Sequence, residues 1–148
     1  NPVSDSFAER AIRQITQSLP RAVKNGRDRR ARMAMANGSL LAGAAFSNSM
    51  VGLVHAIGHA LGGVCHVAHG DAMTILLPAV MQYNLDKCRE RYGADATGLP
   101  TTLSQTGRVK QEDFEAVART ALNDGAIIVN PAEADYDEIL GILKEVWA

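Results

Sequence analysis

The chain has 148 residues, 47% of them hydrophobic and 21% charged, which is one domain's length and apolar enough to bury a core. Fifteen basic side chains nearly balance sixteen acidic ones, for a formal charge of -1, so no overall field draws the protein onto nucleic acid or an anionic membrane. The two cysteines, Cys65 and Cys88, make at most one bridge, and with no secretory leader ahead of them the expected location is the cytoplasm.

Residues 7–19 place Phe7, Ala8, Ala11, Ile12, Ile15 and Leu19 on one stripe of an amphipathic helix, with Pro2 ahead of it and Pro20 near its end. Asn25-Gly26 breaks the pattern. Residues 27–50 then predict a second helix, basic at its start and small and apolar later, which is expected to lie in the middle of a bundle. A third helix over 51–61 is expected to close at Gly62-Gly63, where glycine takes the left-handed conformation, leaving 64–70 as a loop. Asp71 is expected to open the next helix by satisfying free amides and the helix dipole; apolar positions run from Met73 to Leu85, and Pro78 is expected to bend it.

Residues 93–107, rich in Gly, Thr and Ser, predict a loop. Beyond them Phe114, Val117, Ala118, Ala121 and Leu122 form another helical stripe, stopped by Asn123-Asp124-Gly125. Asn130-Pro131-Ala132-Glu133 predicts an N-cap, with Tyr136, Ile139, Leu140, Leu143, Val146 and Trp147 completing the last helix. No strand-period stretch exceeds residues 126–129, so the predicted class is all-α, a helical bundle.

From Met33 through Gly70 there is no Asp, Glu, Lys or Arg, yet this is not expected to be a membrane span. Asn37, Ser39, Ser47, Asn48, Ser49 and the histidines interrupt it, and its strongly apolar patch, 40–46, is too short to cross a bilayer. The basic cluster Arg21, Lys24, Arg27, Arg29, Arg30 and Arg32 lacks interleaved aromatics to stack bases, so it is expected to be a solvated face rather than a nucleic-acid site.

The chemistry-bearing feature is a group of histidines. His55 and His59 are four apart, roughly 40° around a helix axis, and share a face; a glycine turn can then fold His69 back toward them. Neutral imidazole is a common ligand of divalent transition metals. HExxH protease chemistry is excluded, because Ala56, Ile57 and Gly58 separate the pair and no glutamate can act as base. Two other readings remain open at this level: each ring satisfied by a backbone carbonyl, or a site drawn from His55, His59, His69 and Asp71. Cys65, close to the histidines, is expected to be a buried free thiol rather than a ligand.

The run Gly52-Leu53-Val54-His55-Ala56-Ile57-Gly58-His59-Ala60-Leu61-Gly62-Gly63, closing with His69-Gly70, resembles the signature of the iron-containing (group III) alcohol dehydrogenases. The stretches 1–5, 34–50, 75–78 and 122–124 also look like that family, so the resemblance covers nearly the whole chain. It implies the all-helical C-terminal domain of a dehydroquinate synthase-like, iron-containing alcohol dehydrogenase fold. In that fold an N-terminal α/β domain binds NAD or NADP. His55 and His69 match the family's two signature metal ligands, with Fe2+ the named metal and Zn2+ also compatible with such donors. His59 matches the histidine beside nicotinamide and substrate, which makes it the expected catalytic and cofactor-contacting residue. The implied reaction is hydride transfer between a small alcohol or aldehyde and NAD(P), by a homo-oligomer.

The family's remaining ligands, an Asp-x-x-x-His pair, have no counterpart here, since no histidine precedes His55. Between Tyr92 and Thr101 the family carries more chain, so 93–98 marks an expected internal gap within a region spanning 93–100. Residues 1–148 are therefore expected to be a helical metal-binding fragment with half a metal site and no cofactor domain, inactive alone. The alternative is a stand-alone helical interaction module with structural histidines, in which Met33, Met35, Met50, Met73 and Met81 line an adaptable surface.

Overall fold

The computed structural model describes residues 1–88 and 102–147. Among them every regular element is helical, and the chain divides into two compact units, Asn1–Met50 and Val51–Ala148. The expected gap in 93–100 lies outside the described residues.

The first unit is a helical hairpin. α1 (Pro2–Lys24) starts at a reciprocal cap: the Asn1 carboxamide accepts from the N–H groups of Val3 and Ser4, and the Ser4 hydroxyl donates back to the Asn1 carbonyl. The helix runs through Pro20 for one further turn. α2 (Arg29–Ser49) starts at Asp28, whose carboxylate accepts from the N–H groups of Arg30 and Ala31 and pairs with Arg21 at 2.7 Å. The helices meet through small residues. A Cβ on Gly38 would lie 2.6 Å from Ile15 Cγ1, so only glycine allows that approach.

The expectation for α2 needs correction. Its buried residues are Ala31, Gly38 and Ala45, a single stripe, whereas Met33, Leu40 and Phe46 are all more than half exposed. The cause is residue size, since the small side chains face α1 and the large apolar ones project outward. Ile12 of α1 is likewise exposed rather than buried. No single helix among the described residues is long and apolar enough to cross a membrane.

The second unit holds the larger core. α3 (Leu53–Cys65) contributes Leu53, Ile57 and Leu61, all fully buried, and each such side chain contributes about 1.5–3 kcal/mol on leaving water. α4 (His69–Cys88), α5 (Phe114–Leu122) and α6 (Tyr136–Glu145) pack Leu76, Val80, Val117, Ile139 and Leu143 against it. Leu103 joins them, its N–H donating to the Val146 carbonyl at 2.8 Å, and the Phe114 and Trp147 rings meet edge to face.

Three local expectations are revised. Gly62-Gly63 lie inside α3, and the left-handed residue that ends the helix is His66, at φ 57° and ψ 33°. Its N–H and that of Val67 return to the Gly62 and Leu61 carbonyls, so the helix runs about one turn further than expected. α4 begins at His69 rather than Asp71, with the Ala68 carbonyl accepting from the Ala72 N–H. α6 is capped by Asp135, in a reciprocal pair with Glu138, and not by Asn130. Residues Gly125–Val129 form a 3-10 turn, in keeping with the all-helical class, and the Asp124 carboxylate accepts the Ala126 N–H at its start.

Candidate metal centre

The site is assembled by α3 and the first turn of α4. α3 turns Ala56, Ile57, Ala60 and Leu61 into the protein interior, which leaves His55 and His59 on its outward edge, one turn apart. Because α4 starts at His69, that ring is carried on a helix and not a loop. Gly58 allows the close crossing: the Met73 methyl of α4 lies where a Cβ on Gly58 would be, 1.9 Å from its ideal position.

The three rings converge. Centroids are 5.7 Å apart for His55 and His59, 5.5 Å for His55 and His69, and 5.7 Å for His59 and His69. Two imidazoles sharing one tetrahedral ion at about 2.1 Å carry their centroids roughly 5 Å apart. The spacing and donor chemistry therefore fit a divalent transition metal held by two of these rings. Among the described residues no set of three or more His, Cys, Asp or Glu side chains is arranged to hold an ion by itself.

Electrostatics separates the rings. His55 is half-buried, and burial, followed by the neighbouring charges His59 and His69 would carry, holds its pKa below the ordinary histidine value against the opposing pull of Asp124. It is thereby kept as the neutral, lone-pair-bearing form a metal needs. His59 is the more open ring, with 44% of its side chain exposed, and its Nδ1 lies 2.7 Å from Oδ2 of Asp124. The other oxygen of Asp124 accepts the Ala126 N–H at 2.8 Å. Burial works to raise the Asp124 pKa, but the Ala126 N–H and the imidazoles of His59 and His55 together hold it below the usual carboxylate value. A carboxylate-backed imidazole is an arrangement used both for moving protons and for ligating metals.

Asp124 is the site residue that sequence reasoning missed. It was legible as part of a helix stop and of a family-like stretch, 122–124, but not as a partner of His59, which it meets from 65 positions away. His66 does not join the triad; as the cap of α3 it presents its carbonyl to Arg108 Nη1 at 3.1 Å. Asp71 lies in the first turn of α4, where its charge suits the helix dipole. Cys65 is free and buried, and burial, with Asp113 beside it, pushes its thiol up to about 11, which suits an inert core residue.

The N-terminus of α3 is held from a distance. Gly52 has no side chain to cap it, and the Leu53 N–H instead donates to Asn130 Oδ1 at 3.1 Å. Asn130 also exchanges two hydrogen bonds with the buried Asn84 of α4 and donates to the Ala132 carbonyl. One carboxamide thus ties the helix bearing His55 and His59 to the helix bearing His69.

Comparison with known proteins gives the family that the chain resembles. Residues 1–99 match the family model described as Fe-containing alcohol dehydrogenase family, C-terminal. The 1,3-propanediol dehydrogenase of Klebsiella pneumoniae is 37% identical over 176 aligned positions covering 99% of this chain, and the NAD-dependent methanol dehydrogenase of Bacillus methanolicus is 35% identical over 97% of it. The alcohol dehydrogenase from Oenococcus oeni superimposes with a TM-score of 0.92 at 33% identity over 99% of this chain. The chain spans 45% of the length of those two enzymes and 46% of the solved structure.

Proposed function

The chain belongs to the Fe-containing alcohol dehydrogenase family, and from that membership we propose that it is the metal-holding helical part of an enzyme that moves hydride between a small alcohol or aldehyde and NAD(P). The observation that carries the proposal is the convergence of His55 and His69 at 5.5 Å. These two residues are assigned to hold Fe2+ or Zn2+, with further donors and most of the cofactor's binding surface supplied by sequence outside residues 1–148. Lewis acidity toward an alcohol or carbonyl oxygen is what such an ion supplies when bound. The enzyme is assigned to the reducing cytoplasm, in keeping with the free Cys65.

The side chains of this chain have separate tasks. His55, half-buried and biased to its neutral form, offers a nitrogen lone pair without first losing a proton. His69, on the opening turn of α4, meets it from the other helix. His59, open to solvent and fixed at one nitrogen by Asp124, is placed to hold or pass the proton that accompanies hydride transfer. The alignment with the Klebsiella enzyme spans 176 positions against 148 residues here, so it contains gaps; that missing family residues fall in the neighbourhood of 93–100 is part of the proposal.

The test is a complementation. The isolated chain is expected to bind iron or zinc weakly and to show no alcohol-dependent reduction of NAD. Joined to the N-terminal region of the Klebsiella 1,3-propanediol dehydrogenase, it should acquire stoichiometric metal and 1,3-propanediol-dependent NADH formation, both lost on His55→Ala or His69→Ala. Nanomolar metal affinity or turnover by residues 1–148 alone would overturn the proposal, as would a folded, metal-free chimera.

A further inference from the structure

His59 has two ring nitrogens, and only one can carry the proton when the ring is neutral. An unrestrained imidazole prefers to place it on Nε2. Here Nδ1 faces Oδ2 of Asp124 at 2.7 Å, and an ionised carboxylate can only accept. The Asp124 pKa lies below the usual carboxylate value, so the group is ionised at neutral pH and the proton between the two atoms belongs to Nδ1.

We propose that Asp124 is a positioning residue: it fixes His59 as the Nδ1–H tautomer and leaves the Nε2 lone pair free to accept, on a ring packed 5.7 Å from those of His55 and His69. Three observations support it besides the short contact. The carboxylate is itself oriented, because Oδ1 is held by the Ala126 N–H at 2.8 Å. It is 24% exposed, against 44% for the imidazole, so the carboxylate is the more sheltered partner of the pair. Finally, the bond joins the N-terminus of the 3-10 turn Gly125–Val129 to the middle of α3, which defines the ring's rotation as well as its tautomer. Resting on the function proposed above, the consequence is that His59 presents to substrate an Nε2 that accepts a hydrogen bond, on a ring whose other nitrogen is held by Asp124.

The substitution Asp124→Asn separates this role from a structural one. Its side-chain oxygen can keep the Ala126 N–H, so the turn stays capped. The amide that replaces Oδ2 is a donor, and it requires Nδ1 of His59 to accept, which reverses the tautomer. The measurement is long-range nitrogen–proton correlation on metal-free chain with labelled histidine, in mildly alkaline solution where an ordinary imidazole is neutral. The wild-type chain should show His59 mainly as Nδ1–H, and D124N mainly as Nε2–H, with helical circular dichroism unchanged. Asp124→Ala, which removes both bonds, should give the free-ring preference for Nε2–H. A wild-type ring already in the Nε2–H form, or one that D124N and D124A leave unaltered, would overturn the inference. The experiment needs no metal, so failure of metal uptake in the chimera would sink the dehydrogenase proposal while leaving the pairing of Asp124 and His59 in place.

Discussion

Replacing Asn130 by Ala should weaken the second unit through two separable losses. Asn84, only 4% exposed, loses the carboxamide with which it exchanges two hydrogen bonds, and a buried polar group left without a partner costs about 1–3 kcal/mol. The Leu53 N–H loses its acceptor at the start of α3, an N-cap loss of about 1 kcal/mol. Together these give a destabilisation of about 3 kcal/mol. With a urea dependence of roughly 2 kcal/mol/M, the unfolding midpoint should fall by about 1.5 M at unchanged slope. The double variant Asn84→Leu with Asn130→Leu removes both carboxamides, and replacing both partners by apolar groups is far milder than orphaning one. It should therefore be less destabilised than the sum of the single variants by about 1–2 kcal/mol. A fall of under about 0.5 M for Asn130→Ala, or strict additivity in the cycle, would refute the view that this carboxamide clamps α3 to α4.

His66 occupies the left-handed region at φ 57°, which costs a residue bearing a Cβ about 1 kcal/mol. His66→Gly should stabilise the chain by up to about 0.5 kcal/mol after the added freedom of the unfolded state is counted, read as a slightly raised urea midpoint; a lower midpoint would contradict it. Acidification should act through His55. Its folded pKa is depressed, by burial first and then by His59 and His69, so the unfolded chain binds its proton more readily. That stability is fully present above the ordinary histidine value and is lost as pH falls below it. The urea midpoint should drop between about pH 7 and pH 5, and less steeply in His55→Gln; identical slopes for the two proteins would contradict this.

How much of this was legible in the sequence depended on whether the signal was local. The α5 stripe beginning at Phe114, and the all-helical class, follow from apolar spacing along one segment, and the structure agrees. His55 and His59 were legible as neighbours because four residues make about one helical turn. Their approach to His69 was readable only as a possibility, since it depends on how α3 ends. Glycine is the usual left-handed cap, yet His66 takes that conformation and Gly62-Gly63 stay helical. Asn130 shows the reverse error: followed by Pro131, it has the local pattern of an N-cap, but its carboxamide serves a different helix. Asp124 lay beyond local reasoning altogether, because its partner is set by the packing of α3 against α5 and the turn that follows α5. Burial in α2 also failed to follow from hydrophobicity, as close helix contact selected Ala and Gly over Leu40 and Phe46.

The most direct measurement is a zinc titration of the histidine-labelled chain, following the ring nitrogens of all four histidines by NMR. Zinc should shift His55 and His69 together, with weak affinity, while His66 stays unmoved and His59 keeps its proton on Nδ1, donated to the Asp124 carboxylate. Equal response at all four rings, or an ion taken by His59 with only one of its neighbours, would contradict the assignment of His55 and His69 as the metal-holding pair.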